Sequence, residues 1–257
     1  MKVLTSNGKS HRKMNTIAAL LLLLVAELQS CISTQSKMVP DPPQCSGSNM
    51  TKDLRATARR HHNRNRKDLA RGKLRAYGYP EASNMSYMEY DCSLEKASLE
   101  VAMSICDNTS HHDFQFSGIN IATISYNKSR PYPFNGSFNV YDVRQIVEEW
   151  WKSGAQSPAP SELKPNGTRN DTLRIPFLQM ADAAANKLGC AFHICSGGNS
   201  HGGNVSFVCK YAPQHVSVGV ALYEKGEPCS ACGGIQNSSC IGRGLCNNTD
   251  IHNEKFC

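Results

Sequence analysis

The order of helical and extended segments in this 257-residue chain predicts an α+β fold. Apolar residues recur every three or four positions in four segments before residue 190, which is the period of a helix with one buried face. Further on, "CAFHIC" and "NVSFVCKYAP" alternate like two strands of an antiparallel sheet. Helices that precede strands favour an α+β fold over a doubly wound parallel sheet.

The individual elements are predicted as follows. The first helix covers 53–71, where Leu54, Ala58 and Leu69 mark an inward side. The second helix lies in "EYDCSLEKASLEVAMSIC" and the third in "VYDVRQIVEEWWKSG", while "INIATISY" between them is a short β-like or irregular segment. A long Pro-rich loop, "AQSPAPSELKPNGTRNDT", leads to a fourth helix within "IPFLQMADAAANKLGC".

The start of the chain has the pattern of a secretory signal peptide. Basic residues flank an apolar run, "TIAALLLLLVA", that is shorter than the about 20 residues needed to span a bilayer. We therefore predict a signal peptide over 1–33, an N-terminal arm over 34–52, and a secreted protein without a stable membrane anchor. Translation from Met14 would give a more ordinary signal, and a buried N-terminal helix is the alternative reading.

The sequons agree with secretion. The pattern N-x-[ST], which is the acceptor for N-linked glycans in secreted proteins, occurs ten times. The predicted glycosylation sites are Asn49, Asn84, Asn108, Asn127, Asn135, Asn166, Asn170, Asn204, Asn237 and Asn247.

Twelve cysteines can be read as disulfides or as metal ligands. An oxidising compartment favours disulfides, and the tail "CSACGGIQNSSCIGRGLC" lacks the second pair or the histidine partners of a zinc site. The fates of Cys31 and Cys257 stay open, and no bound metal is expected. The predicted disulfide cysteines are Cys45, Cys92, Cys106, Cys190, Cys195, Cys209, Cys229, Cys232, Cys240 and Cys246.

Positive charge is concentrated in the first predicted helix. The formal net charge is +7, and the stretch from 55 to 75 carries nine Lys or Arg and one acidic residue. Outside the cell such a run could bind a heparin-like glycan or anionic lipid head groups, whereas nucleic acid is excluded as a partner. The alternative is a solvated helix face. The candidate glycan-binding residues are Arg59, Arg60, Arg64 and Arg66.

An ordered set of motifs resembles the CAP superfamily, and most closely its nematode venom-allergen-like branch. "HNRNR", with His62, Asn63 and Arg66, is similar to the H-N-x-x-R of the first helix, and "GINIA", "FLQMADAAANKLGCA" and "VCKYAP" follow in the family's order. The resemblance implies an α-β-α sandwich with a three-stranded antiparallel sheet, held by disulfides. It places the CAP domain at 53–215 and a cysteine-rich clasp at 216–257.

The same resemblance implies a degenerate cleft. The family's cleft holds two His and two Glu, which bind a divalent metal in some members. Here His111 or His112 is the candidate for the first histidine, while the other three positions fall on Ile119, Ser153 and Pro176. A metal site needs three or four converging donors, so we expect no cofactor.

The expected function is accordingly non-enzymatic. Glu149, one turn before Ser153, could rebuild a partial site with either histidine, and no G-x-S-x-G turn for a nucleophile is present. The resemblance implies an excretory-secretory protein that binds a host extracellular protein or glycan and modulates immunity. The alternative is carriage of a sterol or fatty acid, because Phe134, Phe138 and Tyr141 could line an apolar pocket, although their pattern favours ordinary core packing.

Overall fold

The computed structural model describes residues 40–107, 117–125, 138–195, 204–233 and 240–247. Several of the sequence predictions fall outside these ranges. They are the signal peptide, the two cysteines Cys31 and Cys257, the candidate histidines His111 and His112, the aromatic residue Phe134, and the sequons at Asn108, Asn127, Asn135 and Asn237.

Local capping begins each of the three long helices. Thr51 accepts a hydrogen bond from the N–H of Leu54, and Asp91 and Asn139 do the same at the starts of the next two. The predicted Pro-rich loop contains a short helix that the sequence analysis missed. The described helices are α1 Lys52–Ala70, α2 Cys92–Cys106, α3 Val140–Ala155, α4 Arg169–Leu173 and α5 Ile175–Ala181.

The main sheet has four strands, not the three that the resemblance implied. Its order is β1-β3-β4-β2, with β1 Glu89–Tyr90, β2 Ile119–Ser125, β3 Lys187–Ile194 and β4 Asn204–Ala212. The segment that was β-like or irregular in the sequence is thus an ordinary strand, antiparallel to β4. The extra strand β1 has two residues and runs parallel to β3, so it is too short to leave a periodic signal.

The sheet lies between two helical layers. On one face of β4, Phe207 stacks on Trp150 of α3 with ring centroids 5.6 Å apart. The opposite face carries Val208, which packs with Ala102 of α2. Successive strand residues point to opposite faces, so one strand supplies both cores. The result is the α-β-α sandwich expected for this sequence.

Five disulfides join all ten of the cysteines predicted to be bridged. The clasp forms a small hairpin of β5 Cys240–Ile241 and β6 Leu245–Cys246. The hairpin joins the main body because the N–H of Tyr87 donates to the carbonyl of Cys246 at 2.8 Å. The pairs are Cys45–Cys92, Cys106–Cys195, Cys190–Cys209, Cys229–Cys240 and Cys232–Cys246.

None of the helices in the described part of the chain has the length and apolar character required to cross a membrane.

Candidate functional site

The described positions of the expected cleft carry no carboxylate, imidazole or thiolate. Ile119 begins β2 and faces α2 within an apolar cluster. The hydroxyl of Ser153 donates to the carbonyl of Trp150 at 2.7 Å, within the same helix. Pro176 lies in the first turn of α5, and its side chain is a hydrocarbon ring. These three residues therefore bring no metal-binding or titrating group together.

Whether Glu149 rebuilds a partial site stays a prediction, because its expected partners His111 and His112 lie outside the described residues. Its side chain is exposed and accepts a hydrogen bond from Gln145 at 3.0 Å. It lines a groove of about 320 Å³ between α3 and β2. Asp142 lines the same groove, but it accepts from the N–H of Asn139 at 2.9 Å, and burial raises the pKa of its carboxyl. No imidazole of the described residues lines this groove.

A buried chain of hydrogen bonds crosses the interior next to the cleft positions. His62 Nδ1 lies 2.7 Å from the carbonyl of Ala58, so this nitrogen carries the proton and donates. His62 Nε2 then accepts from the hydroxyl of Tyr211 at 2.9 Å. Asn120 Nδ2 donates both to that hydroxyl oxygen, at 2.9 Å, and to the carbonyl of Pro176, at 3.0 Å.

These buried hydrogen bonds have a structural role and not a catalytic one. Burial lowers the pKa of His62 to about 4 and raises the pKa of Tyr211 far above its usual value. A group that titrates so far from neutral pH is a poor general acid or base. His62 therefore stays neutral and holds α1 against β4.

Arg66 is also structural, which corrects its assignment to a glycan-binding surface. Its side chain is fully buried. Its guanidinium donates to the carbonyls of Ser86, Met180, Asp182 and Ala185 at distances from 2.6 to 3.0 Å. Arg66 thus fastens α1 to the segments around α5 and β1 and cannot contact an external partner.

The other three candidate arginines lie nearer the surface. Arg60 and Arg64 are exposed, and Arg59 is half-buried. Arg60 donates to the hydroxyl of Thr57 at 3.3 Å, one turn earlier in α1. Glycan binding by these three residues stays a prediction.

A groove of about 410 Å³ separates α1 from α3 beside these arginines. Arg60 lines it from α1, and Arg144 and Tyr141 line it from α3. His61 also lines it, and His61 Nδ1 lies 3.2 Å from Glu148 Oε1. Burial lowers the pKa of His61, although the hydrogen bond to Glu148 opposes this shift. The groove therefore presents mainly positive charge from two helices.

Three cysteines of the clasp come close enough to resemble a metal site. The sulfur atoms of Cys229, Cys232 and Cys246 lie within 4.8 Å of one another. All three are held in disulfides, and a disulfide sulfur is not the thiolate that binds zinc. The cysteine pattern thus gives a covalent clasp.

Six of the predicted glycosylation sites fall within the described residues. Asn84 and Asn247 are half-buried, and Asn84 Oδ1 accepts from the N–H of Glu224 at 3.0 Å. None of the six lines the groove between α1 and α3. Whether these sites carry glycan stays a prediction. The exposed sites are Asn49, Asn166, Asn170 and Asn204.

Sequence reasoning missed four cationic residues, of which Arg144 lines the groove. Lys67 and Arg71 follow Arg60 on one side of α1, and their spacing is a signal that could have found them. Arg144 and Arg243 belong to distant parts of the chain, so no local pattern could assign them to this surface.

The family model for the cysteine-rich secretory protein (CAP) family matches residues 49–211. Peptidase inhibitor 15 of Gallus gallus is 31% identical over 179 residues, which cover 66% of this chain and 63% of the relative. Human cysteine-rich secretory protein LCCL domain-containing 1 is 29% identical over 67% of this chain and 35% of its own length. The chain thus spans less than two thirds of the curated relatives it matches.

Three solved structures share the fold. A crystal structure of NaASP2 with Zn²⁺ has a TM-score of 0.57 at 26% identity and covers 73% of this chain and 93% of its own. Na-ASP-1 has a TM-score of 0.59 at 25% identity, with coverage of 83% and 52%. BmVAL-1 has a TM-score of 0.61 at 22% identity, with coverage of 80% and 100%, and supports the fold alone.

Proposed function

Because the chain belongs to the cysteine-rich secretory protein (CAP) family, we propose that it acts outside the cell as a non-enzymatic binding protein. The matching family model covers more than half of the chain. Five disulfides suit an oxidising, extracellular compartment. In this proposal the protein acts through its outer surface and not through chemistry in a cleft.

The observation that carries this proposal is the loss of donors at the cleft positions. Ile119 and Pro176 are hydrocarbon side chains, and the Ser153 hydroxyl is engaged with its own helix. A catalytic zinc site needs three protein ligands held in fixed geometry. General acid–base work needs a titratable group within reach of the substrate.

A calorimetric titration with Zn²⁺ and Mg²⁺ tests this proposal. We expect no heat of binding for the secreted, deglycosylated protein. NaASP2, whose crystal structure contains Zn²⁺, is the positive control under the same conditions. Tight stoichiometric zinc binding by the present chain would overturn the proposal, because it would mean that a donor set forms.

We further propose that the protein is a venom-allergen-like member that binds a host partner and modulates immunity. The similarity to Na-ASP-1 supports this assignment, whereas peptidase inhibitor 15, a curated relative, is a vertebrate protein. Labelled protein is expected to bind host leukocytes saturably and to be displaced by unlabelled protein. Binding that cannot be displaced would contradict a specific host partner.

Carriage of a sterol or fatty acid is the alternative function. One residue that motivated it, Phe138, packs in the core against Phe192 with ring centroids 4.5 Å apart. Tyr141 is exposed and lines the groove beside Arg60. Native mass spectrometry of the deglycosylated protein separates the two functions, because a co-purifying and exchangeable lipid would favour carriage.

A further inference from the structure

Four cationic residues form a stripe along one side of α1 and its C-terminal cap, and all of them except the half-buried Lys67 are exposed. Arg60, Arg64, Lys67 and Arg71 follow one another at intervals of four, three and four residues. This spacing places them on one face of a helix. The stripe is about 17 Å long, since a helix rises about 1.5 Å per residue.

Two further arginines extend the stripe at its ends. Arg144 of α3 lines the groove opposite Arg60. At the other end, the clasp hairpin lies against the side chains of Lys67 and Arg71, because a β-carbon placed on Gly244 would be 3.1 Å and 3.3 Å from their Cγ atoms. Arg243, next to Gly244, is exposed. We call the four stripe residues together with Arg144 and Arg243 the basic track.

The charge of the basic track is not neutralised within the described residues. None of the ion pairs there includes a residue of the track. Of the nearby acids, Glu148 pairs with His61 and Asp68 pairs with Lys73. Asp53 lines the groove about two helical turns before Arg60. Six cations from three parts of the chain therefore lie along one surface, and no ion pair of the described residues neutralises them.

We propose that the basic track binds a linear sulfated polysaccharide of the extracellular matrix or cell surface. A row of guanidinium groups matches a polymer that carries an anionic group on each repeat, since guanidinium binds oxyanions through paired hydrogen bonds. Tyr141, which is 57% exposed beside Arg144, offers a flat ring on which a sugar can stack. This feature favours a polysaccharide over an acidic peptide or a membrane surface.

This inference rests on the proposed function, because it names the class of partner for an extracellular binding protein. It uses no residue of the cleft positions. Zinc binding would overturn the non-enzymatic proposal and leave the basic track intact, whereas loss of polysaccharide binding would leave the result of the metal titration unchanged.

The test measures binding of a heparin octasaccharide to the full secreted chain at several salt concentrations. The variant Arg60→Ala/Arg64→Ala/Arg144→Ala removes three exposed guanidinium groups. We expect the Kd of this variant to be roughly tenfold or more above that of the wild type. The slope of log Kd against log salt should fall by about one for each cation removed. The matched control, Lys96→Ala/Arg169→Ala/Lys225→Ala, removes three exposed charges elsewhere and should bind like the wild type.

Each contrary result overturns the inference in a distinct way. Equal weakening in the control variant would mean that net charge alone drives binding. Equal affinity for a chemically desulfated octasaccharide would exclude sulfate recognition. Tighter binding of a poly-glutamate peptide, or of vesicles rich in phosphatidylserine, would assign the track to a protein or to a membrane. A circular dichroism spectrum shared by both variants controls for folding.

Discussion

At the scale of single residues, burial separates neighbouring charges in α1 into different roles. Arg64 is exposed, whereas Arg66, two positions later, is fully buried. Burial lowers the pKa of Arg66 to about 10, so its guanidinium is still charged at neutral pH. The hydrogen bonds that the guanidinium donates to backbone carbonyls offset the free-energy cost of removing its charge from water. Arg66 therefore has a structural role, because it joins several chain segments through hydrogen bonds to their backbone carbonyls.

Substituting Arg66 tests this role. Arg66→Ala leaves several buried carbonyls without donors, and we expect a loss of roughly 4–5 kcal/mol in the free energy of unfolding. Urea denaturation followed by circular dichroism measures the loss. The matched variant Arg64→Ala, on the exposed side of the same helix, should change stability by about 0.5 kcal/mol or less. Similar losses of unfolding free energy in the two variants would contradict this structural role of Arg66.

At the scale of elements, one glycine sets how closely β3 approaches α2. A β-carbon on Gly189 would lie 2.2 Å from the backbone nitrogen of Glu95 and 2.6 Å from the carbonyl oxygen of Asp91. Both obstacles are backbone atoms at the start of α2, so neither can rotate away. The same approach lets Ser98 of α2 donate to the carbonyl of Gly189 at 2.8 Å. The sheet and α2 thus meet backbone to backbone.

The variant Gly189→Ala is expected to force α2 away from the sheet. Overpacking of this kind costs about 3 kcal/mol, and a lower urea midpoint with an unchanged far-ultraviolet spectrum should reveal it. Gly233→Ala is the control, because no atom of the described residues lies within 4 Å of its added β-carbon. If Gly189→Ala matched the stability of the control, the close approach would be wrong.

At the scale of the whole molecule, stability depends on how buried groups titrate together. The pKa of His62 is lowered to about 4 by burial, while burial raises the pKa of the Asp182 and Asp142 carboxyls. A lowered histidine pKa means that the unfolded chain takes up a proton first, so folding weakens as the pH falls. Raised carboxyl pKa values have the opposite sign, because the folded state then binds the proton first.

The titration of His62 should therefore be detectable in the pH dependence of the unfolding free energy. Between pH 6.5 and pH 4 its titration removes up to about 3 kcal/mol of stability. Urea midpoints at pH 7.0, 5.5 and 4.5 should fall more steeply for the wild type than for His62→Gln, which has no proton to gain at this position. Asp182, Asp142 and His61 titrate in both proteins and cancel in the comparison. Parallel curves would contradict a buried, neutral His62.

The sequence alone determined the three long helices, the strands β3 and β4, and the formation of disulfides by ten cysteines. Helical spacing gave α1 to within one residue at each end, because the period of an amphipathic helix is a local property. The same spacing also indicates that Arg66 is buried, because Arg66 lies on the same side of α1 as the buried His62 and Leu69. The many basic residues around it led instead to the prediction that Arg66 belongs to a glycan-binding surface.

Tertiary packing decided which residues share a surface. The two-residue strand β1 exists only through its pairing with β3. Arg144 lines the same groove as Arg60 because α3 packs beside α1, and Gly244, next to Arg243, lies against Lys67 because the disulfide clasp folds back onto α1. The physical reason is that contacts between distant parts of the chain follow from how whole elements pack, and no local spacing encodes them.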